Sequence, residues 1–135
     1  MTLLTWKHDY AVGVLAMDDQ HSILMDTLNE LRLALVRGRG REQVAEVFDR
    51  LIEFTRMHFW SEEQLLAKEQ YPLLEEHRAA HHKVLADLLQ KARLMQYGEG
   101  GRTHEMLEYL RDSYLDHIEG HDIDYGIYLN ERGIL

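Results

Sequence analysis

Apolar residues recur at steps of three and four along most of the chain, and glycine or proline interrupts the pattern at three places. Leu24, Leu28, Leu31 and Leu35 form one stripe, and Val47, Leu51 and Phe54 open a second that resumes at Leu65. Leu74, Val84 and Leu88 mark a third, and Leu107 with Leu110 a fourth. The breaks are Gly38-Arg39-Gly40, Tyr71-Pro72 and Gly98-Glu99-Gly100-Gly101. This pattern predicts a first helix capped at Asp18 or Asp19 and running to about Val36, and a second from near Arg41 to about Glu69. A third carries Pro72 in its first turn and ends near Tyr97, and a fourth runs from about Thr103 to Gly120 or beyond. Short connections make consecutive helices antiparallel, so the expected fold is all-α, an up-down-up-down antiparallel four-helix bundle. Residues 1–17 hold Trp6, Tyr10, Val12, Val14 and Leu15 without a helical period and read as an N-terminal arm across the bundle. The expected layout is one domain over 1–135, with the arm at 1–17, the bundle core at 18–122 and a C-terminal segment at 123–135.

Each stripe is interrupted by polar residues at positions that should be apolar. His21 lies three residues before Leu24, and His58 and Glu62 continue the line of Leu51 and Phe54. His77 and His81 fall between Leu74 and Val84, and Tyr114 and His117 follow Leu110. In an up-down-up-down bundle the start of the first and third helices and the end of the second and fourth share one end. His21, His58, Glu62, His77, His81 and His117 should therefore converge. A lone histidine on an apolar face is more often a hydrogen-bonded core residue than a ligand. Several at one level, each costing roughly 1 to 3 kcal/mol if unpaired, would leave a small bundle near unfolding unless a cation satisfied them together.

Composition narrows the chemistry. The chain has 135 residues, room for one domain, and its 45% hydrophobic residues suffice for a packed core. A formal net charge of -9 argues against nucleic acid and anionic membrane surfaces as partners. With no cysteine, disulfides, thiolate catalysis and thiolate metal sites are all excluded. The chain shows neither a signal-peptide pattern nor a stretch of transmembrane length, and is expected to be soluble and cytoplasmic. Five imidazoles exceed the needs of one tetrahedral zinc, so two ions are required, with Glu62 the natural bridge. Nitrogen and oxygen donors suit iron, manganese or zinc. No histidine has a glutamate three residues before it, which disfavours the ferritin-like di-iron proteins, and no H-E-x-x-H motif is present.

The set His21, His58-x-x-x-Glu62, His77-x-x-x-His81 and His117-x-x-x-x-Asp122 resembles the hemerythrins, particularly the single-domain bacteriohemerythrins. The resemblance extends to Trp6, Val12-Gly13-Val14, Met17-Asp18-Asp19-Gln20-His21, His58-Phe59, Glu62-Glu63 and Tyr71-Pro72. It implies a non-haem di-iron centre as cofactor, with His77, His81 and His117 on one iron, His21 and His58 on the other, and Glu62 and Asp122 bridging. It further implies a bridging oxo or hydroxo group, and reversible binding of dioxygen, end-on as hydroperoxide, to the two-histidine iron for storage, delivery or sensing. No catalytic turnover is required. A different class, a di-iron redox enzyme such as a peroxidase or nitric oxide reductase, is the alternative, and a zinc-holding structural bundle a third. The sequence identifies no reductase or oxygen-accepting protein.

Two positions depart from a simple pattern. Extending the fourth stripe by four residues from His117 reaches His121, whereas Asp122 stands about 140° away on an ideal helix. The family motif therefore predicts unwinding or a π-bulge near Gly120, with His121 exposed or behind the ligands and its own ligation the lesser alternative. Tyr114 stands where the family usually carries leucine over the dioxygen site. Either its phenol points at the open iron or it is a core tyrosine bonded to backbone. His8, His82 and His104 are expected at the surface, with His8 a candidate to support the ligands through the arm. Met25 and Met57 read as core filler, and Glu63, Glu75 and Glu76 as a solvated face.

Overall fold

The computed structural model describes residues 10–38, 40–96 and 103–135. Trp6, His8, Tyr97 and the glycine-rich break at 98–101 lie outside the described residues. Helices α1 (Leu15–Val36), α2 (Arg41–Lys68), α3 (Leu74–Gln96) and α4 (Thr103–His117) are followed by a π-helical turn, Ile118–Asp122, and by α5 (Ile123–Glu131). Helical dihedrals at His117, Asp122 and Ile123 carry the chain through this turn, so α4 and α5 are two parts of the fourth rod. Each of the four rods touches two others, α1 on α2 and α4, and α3 on α2 and α4, which closes the four-helix bundle. Among the described residues there is no strand.

Two predicted boundaries are corrected. Helix α1 begins at Leu15 and not at a cap on Asp18 or Asp19. Asp18 sits in the first turn and its carboxylate reaches back to accept the N–H groups of Val12 at 2.7 Å and Gly13 at 3.3 Å, so it ties the arm to the helix start. Pro72 lies in the turn ahead of α3, which starts at Leu74. The chain leaves α2 through Gln70, whose φ is 55°, while the Tyr71 N–H donates to Leu66 O at 2.9 Å.

The core follows the predicted stripes except that Leu35 and Leu74 are only partly buried, Ala34 taking the inner place near the end of α1, and that α2 drifts. Leu24, Leu28, Leu31, Val47, Leu51, Val84, Leu88, Leu107 and Leu110 are buried. On α2, however, Phe54 and Leu65 are only partly buried, and Thr55, Phe59 and Leu66 take the inner positions. Met25 is buried, but Met57 is 56% exposed, because a position adjacent to inward His58 is turned by about 100° from it. The arm segment Tyr10, Val12 and Val14 is buried, and α5 meets it at Gly126, where a Cβ would stand 1.9 Å from Val12 O.

Candidate metal centre

The bundle brings His21 of α1, His58 and Glu62 of α2, His77 and His81 of α3, His117 ending α4 and Asp122 ending the π turn into one buried volume. They form two groups, Glu62-His77-His81-His117-Asp122 and His21-His58-Glu62-Asp122. Within each group one donor atom from every residue lies within 4.8 Å of the others. Both carboxylates belong to both groups, and each divides its oxygens between them. Glu62 Oε2 is 3.0 Å from Nε2 of both His21 and His58, while Oε1 is 3.1 Å from Nε2 of both His77 and His81. Asp122 Oδ2 is 3.1 Å from His21 Nε2, and Oδ1 is 3.2 Å and 3.1 Å from those of His77 and His117.

Glu62 is hydrogen-bonded to the Nε2 atoms of His21, His77 and His81, but the remaining inward atoms are close to one another without forming hydrogen bonds. His58 Nε2, His117 Nε2 and both oxygens of Asp122 are buried and lack a hydrogen-bond partner among the described residues, although opposite atoms stand 3.0 to 3.2 Å away. Lone pairs that crowd together without pointing at one another are aimed at a common third point, which is what metal ligands do. Donors about 2.1 Å from an ion are about 3.0 Å apart at octahedral right angles and about 3.4 Å apart in a tetrahedron. The observed separations are compatible with donors that share an ion, so the residues present fit a bound metal centre.

A second layer orients the imidazoles. His58 Nδ1–H donates to Gln20 Oε1 at 2.5 Å, and His81 Nδ1–H donates to Glu63 Oε2 at 2.9 Å, so both rings turn the Nε2 lone pair inward. Glu63 is thus not part of the solvated face expected of it, and Arg78 Nε holds its other oxygen at 3.1 Å. Glu75 and Glu76 are exposed. The Tyr125 hydroxyl donates to Glu62 Oε2 at 2.7 Å, and the Phe59 ring stacks on His81 with centroids 3.8 Å apart. Sequence reasoning missed the roles of Gln20, Glu63 and Tyr125, whose contacts depend on how neighbouring helices are set against one another.

The π turn resolves the choice between His121 and Asp122. Its extra residue rotates Asp122 to complete burial and leaves His121 exposed, its ring stacked on His117 at 5.3 Å. Of the two readings of Tyr114, a phenol toward the ion or a core tyrosine bonded to backbone, the structure has it buried with its hydroxyl on a side chain, Thr55 Oγ1, at 2.6 Å. His82 and His104 are exposed.

Burial alone would push His21 and His77 down, but Asp122 and Glu62 beside them raise their pKa values to about 10 and about 9. Burial likewise pushes Glu62 and Asp122 up, and the surrounding imidazoles outweigh it, holding both below the ordinary carboxylate range. His81 is lowered by burial despite Glu62. Without metal, the imidazolium forms of His21 and His77 therefore face the two ionised carboxylates. Burial raises Tyr114 well above its ordinary value against the opposing Thr55 bond, so its phenol is neutral.

Comparison with known proteins agrees with this geometry. The chain is 33% identical over 130 residues to the bacteriohemerythrin of Methylococcus capsulatus, covering 93% of this chain and 96% of that one. It is 30% identical over 125 residues to that of Stenotrophomonas maltophilia, covering 93% and 80%. The crystal structure of a wild-type hemerythrin superposes with a TM-score of 0.84 at 29% identity over 93% of this chain and 96% of that one. A variant of hemerythrin with one leucine replaced by tyrosine gives 0.85 at 30% identity over 94% and 97%. The family model described as the hemerythrin HHE cation binding domain matches residues 12–125, and the chain belongs to the hemerythrin family.

Proposed function

We propose that this chain binds dioxygen reversibly at a pair of iron ions, with His77, His81 and His117 on one ion, His21 and His58 on the other, and Glu62 and Asp122 shared. The observation that carries this reading is the division of each carboxylate, one oxygen toward each imidazole group, with His58 Nε2, His117 Nε2 and both Asp122 oxygens buried without hydrogen-bond partners among the described residues. The names of the relatives and of the matching family model support it. A bridging oxo or hydroxo group belongs to the same proposal. When bound, the iron pair supplies the two electrons that a held dioxygen takes up, so that uptake needs no outside reductant.

The protein's own residues do the rest. His21 and His58 form the group with one imidazole fewer, so an ion held there would have one protein donor fewer and would be the one left with a position for a ligand. Burial of every donor to 5% exposure or less excludes water and outside reductants. Gln20 and Glu63 hold the Nδ1 protons of His58 and His81, keeping the inward nitrogens free to ligate. Tyr125 holds the shared carboxylate of Glu62 by a neutral O–H. Tyr114, a neutral phenol tied to Thr55, sets the lifetime of the oxygenated state. Equal autoxidation rates for Tyr114→Leu and the parent would remove it from this role. A cytoplasmic setting forms part of the same reading, supported by the lack of cysteine. Among the described residues no helix is long and apolar enough to cross a membrane.

The test is a visible spectrum with iron quantitation on the reduced protein, taken anaerobically, in air and after oxygen removal. About two irons per chain and a band that appears and disappears with oxygen support the proposal. A protein that instead consumes peroxide or nitric oxide steadily, with no reversible band, is a di-iron redox enzyme, and the buried phenol of Tyr114 is then the first residue to test.

A further inference from the structure

The centre is sealed, yet ions must reach it. His21, His58, Glu62, His77, His81 and Asp122 are at most 2% exposed, and His117, at 5%, is where the centre comes nearest the surface. His117 lines a groove of about 310 Å³ between α3 and α4, with Lys83, Asp87, Asp112, Asp116 and His121 on its walls. Its Nε2 faces Asp122, whereas its buried Nδ1 has no hydrogen-bond partner among the described residues, so an unsatisfied ring edge remains on the side away from Asp122. His121 stacks on His117 at 5.3 Å and approaches His77 at 6.2 Å, so imidazoles run in series from the groove to the inner group. Three aspartates face one lysine. Tyr109 donates to Asp87 at 3.1 Å and Arg111 to Asp112 at 3.0 Å, while Asp116 has no ion-pair partner among the described residues.

We propose that this groove is the route by which divalent cations load the centre. Asp87, Asp112 and Asp116 concentrate the hydrated cation, exposed His121 offers the first nitrogen, and His117 connects the groove to the inner ligands. A negatively lined cleft raises the local cation concentration and the association rate. The proposal rests on the reading of the centre as a two-ion site, and adds to it a function for His121 and for carboxylates that ligate nothing in the finished centre.

The experiment is anaerobic uptake of ferrous ion by the metal-free full-length chain at low ionic strength, followed to completion. The Asp112→Asn/Asp116→Asn double variant should load about tenfold more slowly than the parent, within the range that electrostatic steering spans. The gap should close as salt is added. Lys83→Glu should load faster than the parent, and that gain too should shrink as salt is added, which uptake through a damaged fold would not show. Final iron per chain should be the same in all three proteins. Equal uptake rates in the three, or rates that rise with denaturant in step with global unfolding, would overturn the groove as the route. A parent that never reaches about two ions would instead count against the two-ion centre, so the two ideas fail separately.

Discussion

Loading the centre at neutral pH should release about two protons from its imidazoles, and that release should vanish at high pH. In the metal-free chain His21 and His77, at about 10 and about 9, are both protonated at neutral pH, while Glu62 and Asp122 are ionised. An ion takes only an unprotonated imidazole, so both protons must leave. A hydroxo bridge formed from water would add one more that does not depend on these groups. The pH-dependent part is therefore about two, falling to none well above pH 10. Stability runs the opposite way from affinity. The two histidines have folded pKa values above their ordinary 6.5, so their contribution to the metal-free fold is complete below 6.5 and lost as pH rises through about 9 and 10. Glu62 and Asp122 are lowered from 4.5 and 3.8, so theirs is present above those values and lost as pH falls below them. The assay is anaerobic titration of the metal-free chain with ferrous ion in a pH-stat at several pH values, alongside denaturant unfolding. A proton count that does not change with pH would show that the carboxylates do not face imidazolium ions, and the electrostatic reasoning would be wrong.

Other substitutions probe the surroundings of the centre. Tyr125→Phe removes a buried O–H donated to an ionised carboxylate and should cost the metal-free chain about 1.5 to 3 kcal/mol in denaturant unfolding. It should also weaken metal binding by roughly 10 to 100-fold in chelator competition; no change in either measurement would make Tyr125 a spectator. Glu63→Ala should weaken metal binding to a similar degree, whereas Glu63→Gln, which keeps an acceptor for His81 Nδ1–H, should lose less. Gly126→Ala drives a Cβ to 1.9 Å from backbone oxygen and should cost about 3 kcal/mol or more, while Gly120→Ala, which meets nothing within 4 Å, should gain about 0.5 kcal/mol. Thermal or denaturant midpoints of the two alanine variants decide whether α5 is held against the arm as described.

The bundle and the convergence of its polar residues were legible because both follow from one periodicity. A residue three or four steps from an apolar core position shares its face, and the helix order brings those faces to one end. Met57 and Glu63 were misjudged for opposite reasons. Met57 is apolar but turned away from the seam, and Glu63, adjacent to inward Glu62, reads as surface until α3 supplies His81 and Arg78 to it. Gln20 on α1 and Tyr125 on α5 reach residues 38 and 63 positions away, so no local pattern records them. Thr55 was hidden differently. It lies four residues after Leu51 and three before His58, but it looked like an ordinary helix residue until Tyr114 was placed opposite it.

The π turn is where ideal geometry and the sequence motif disagree, and it admits a sharp test. In an α-helix a step of four turns through about 400°, whereas hydrogen bonding from i to i+5 closes a turn over one residue more. Five residues of π-helix therefore return the chain to nearly the face that four residues of α-helix would reach. Deleting Gly120 should convert Ile118–Asp122 to α-helix while keeping the Asp122 carboxylate, Tyr125 and Leu129 on their present faces. Iron per chain and the helical circular dichroism should then match the parent. Inserting one alanine after Ile118 makes the step six residues, which the turn cannot absorb, and should rotate Asp122 by about 100° and remove one shared carboxylate from both ligand groups. If the deletion loses iron as completely as the insertion, the π turn is needed for its own geometry and not merely to restore the register of Asp122.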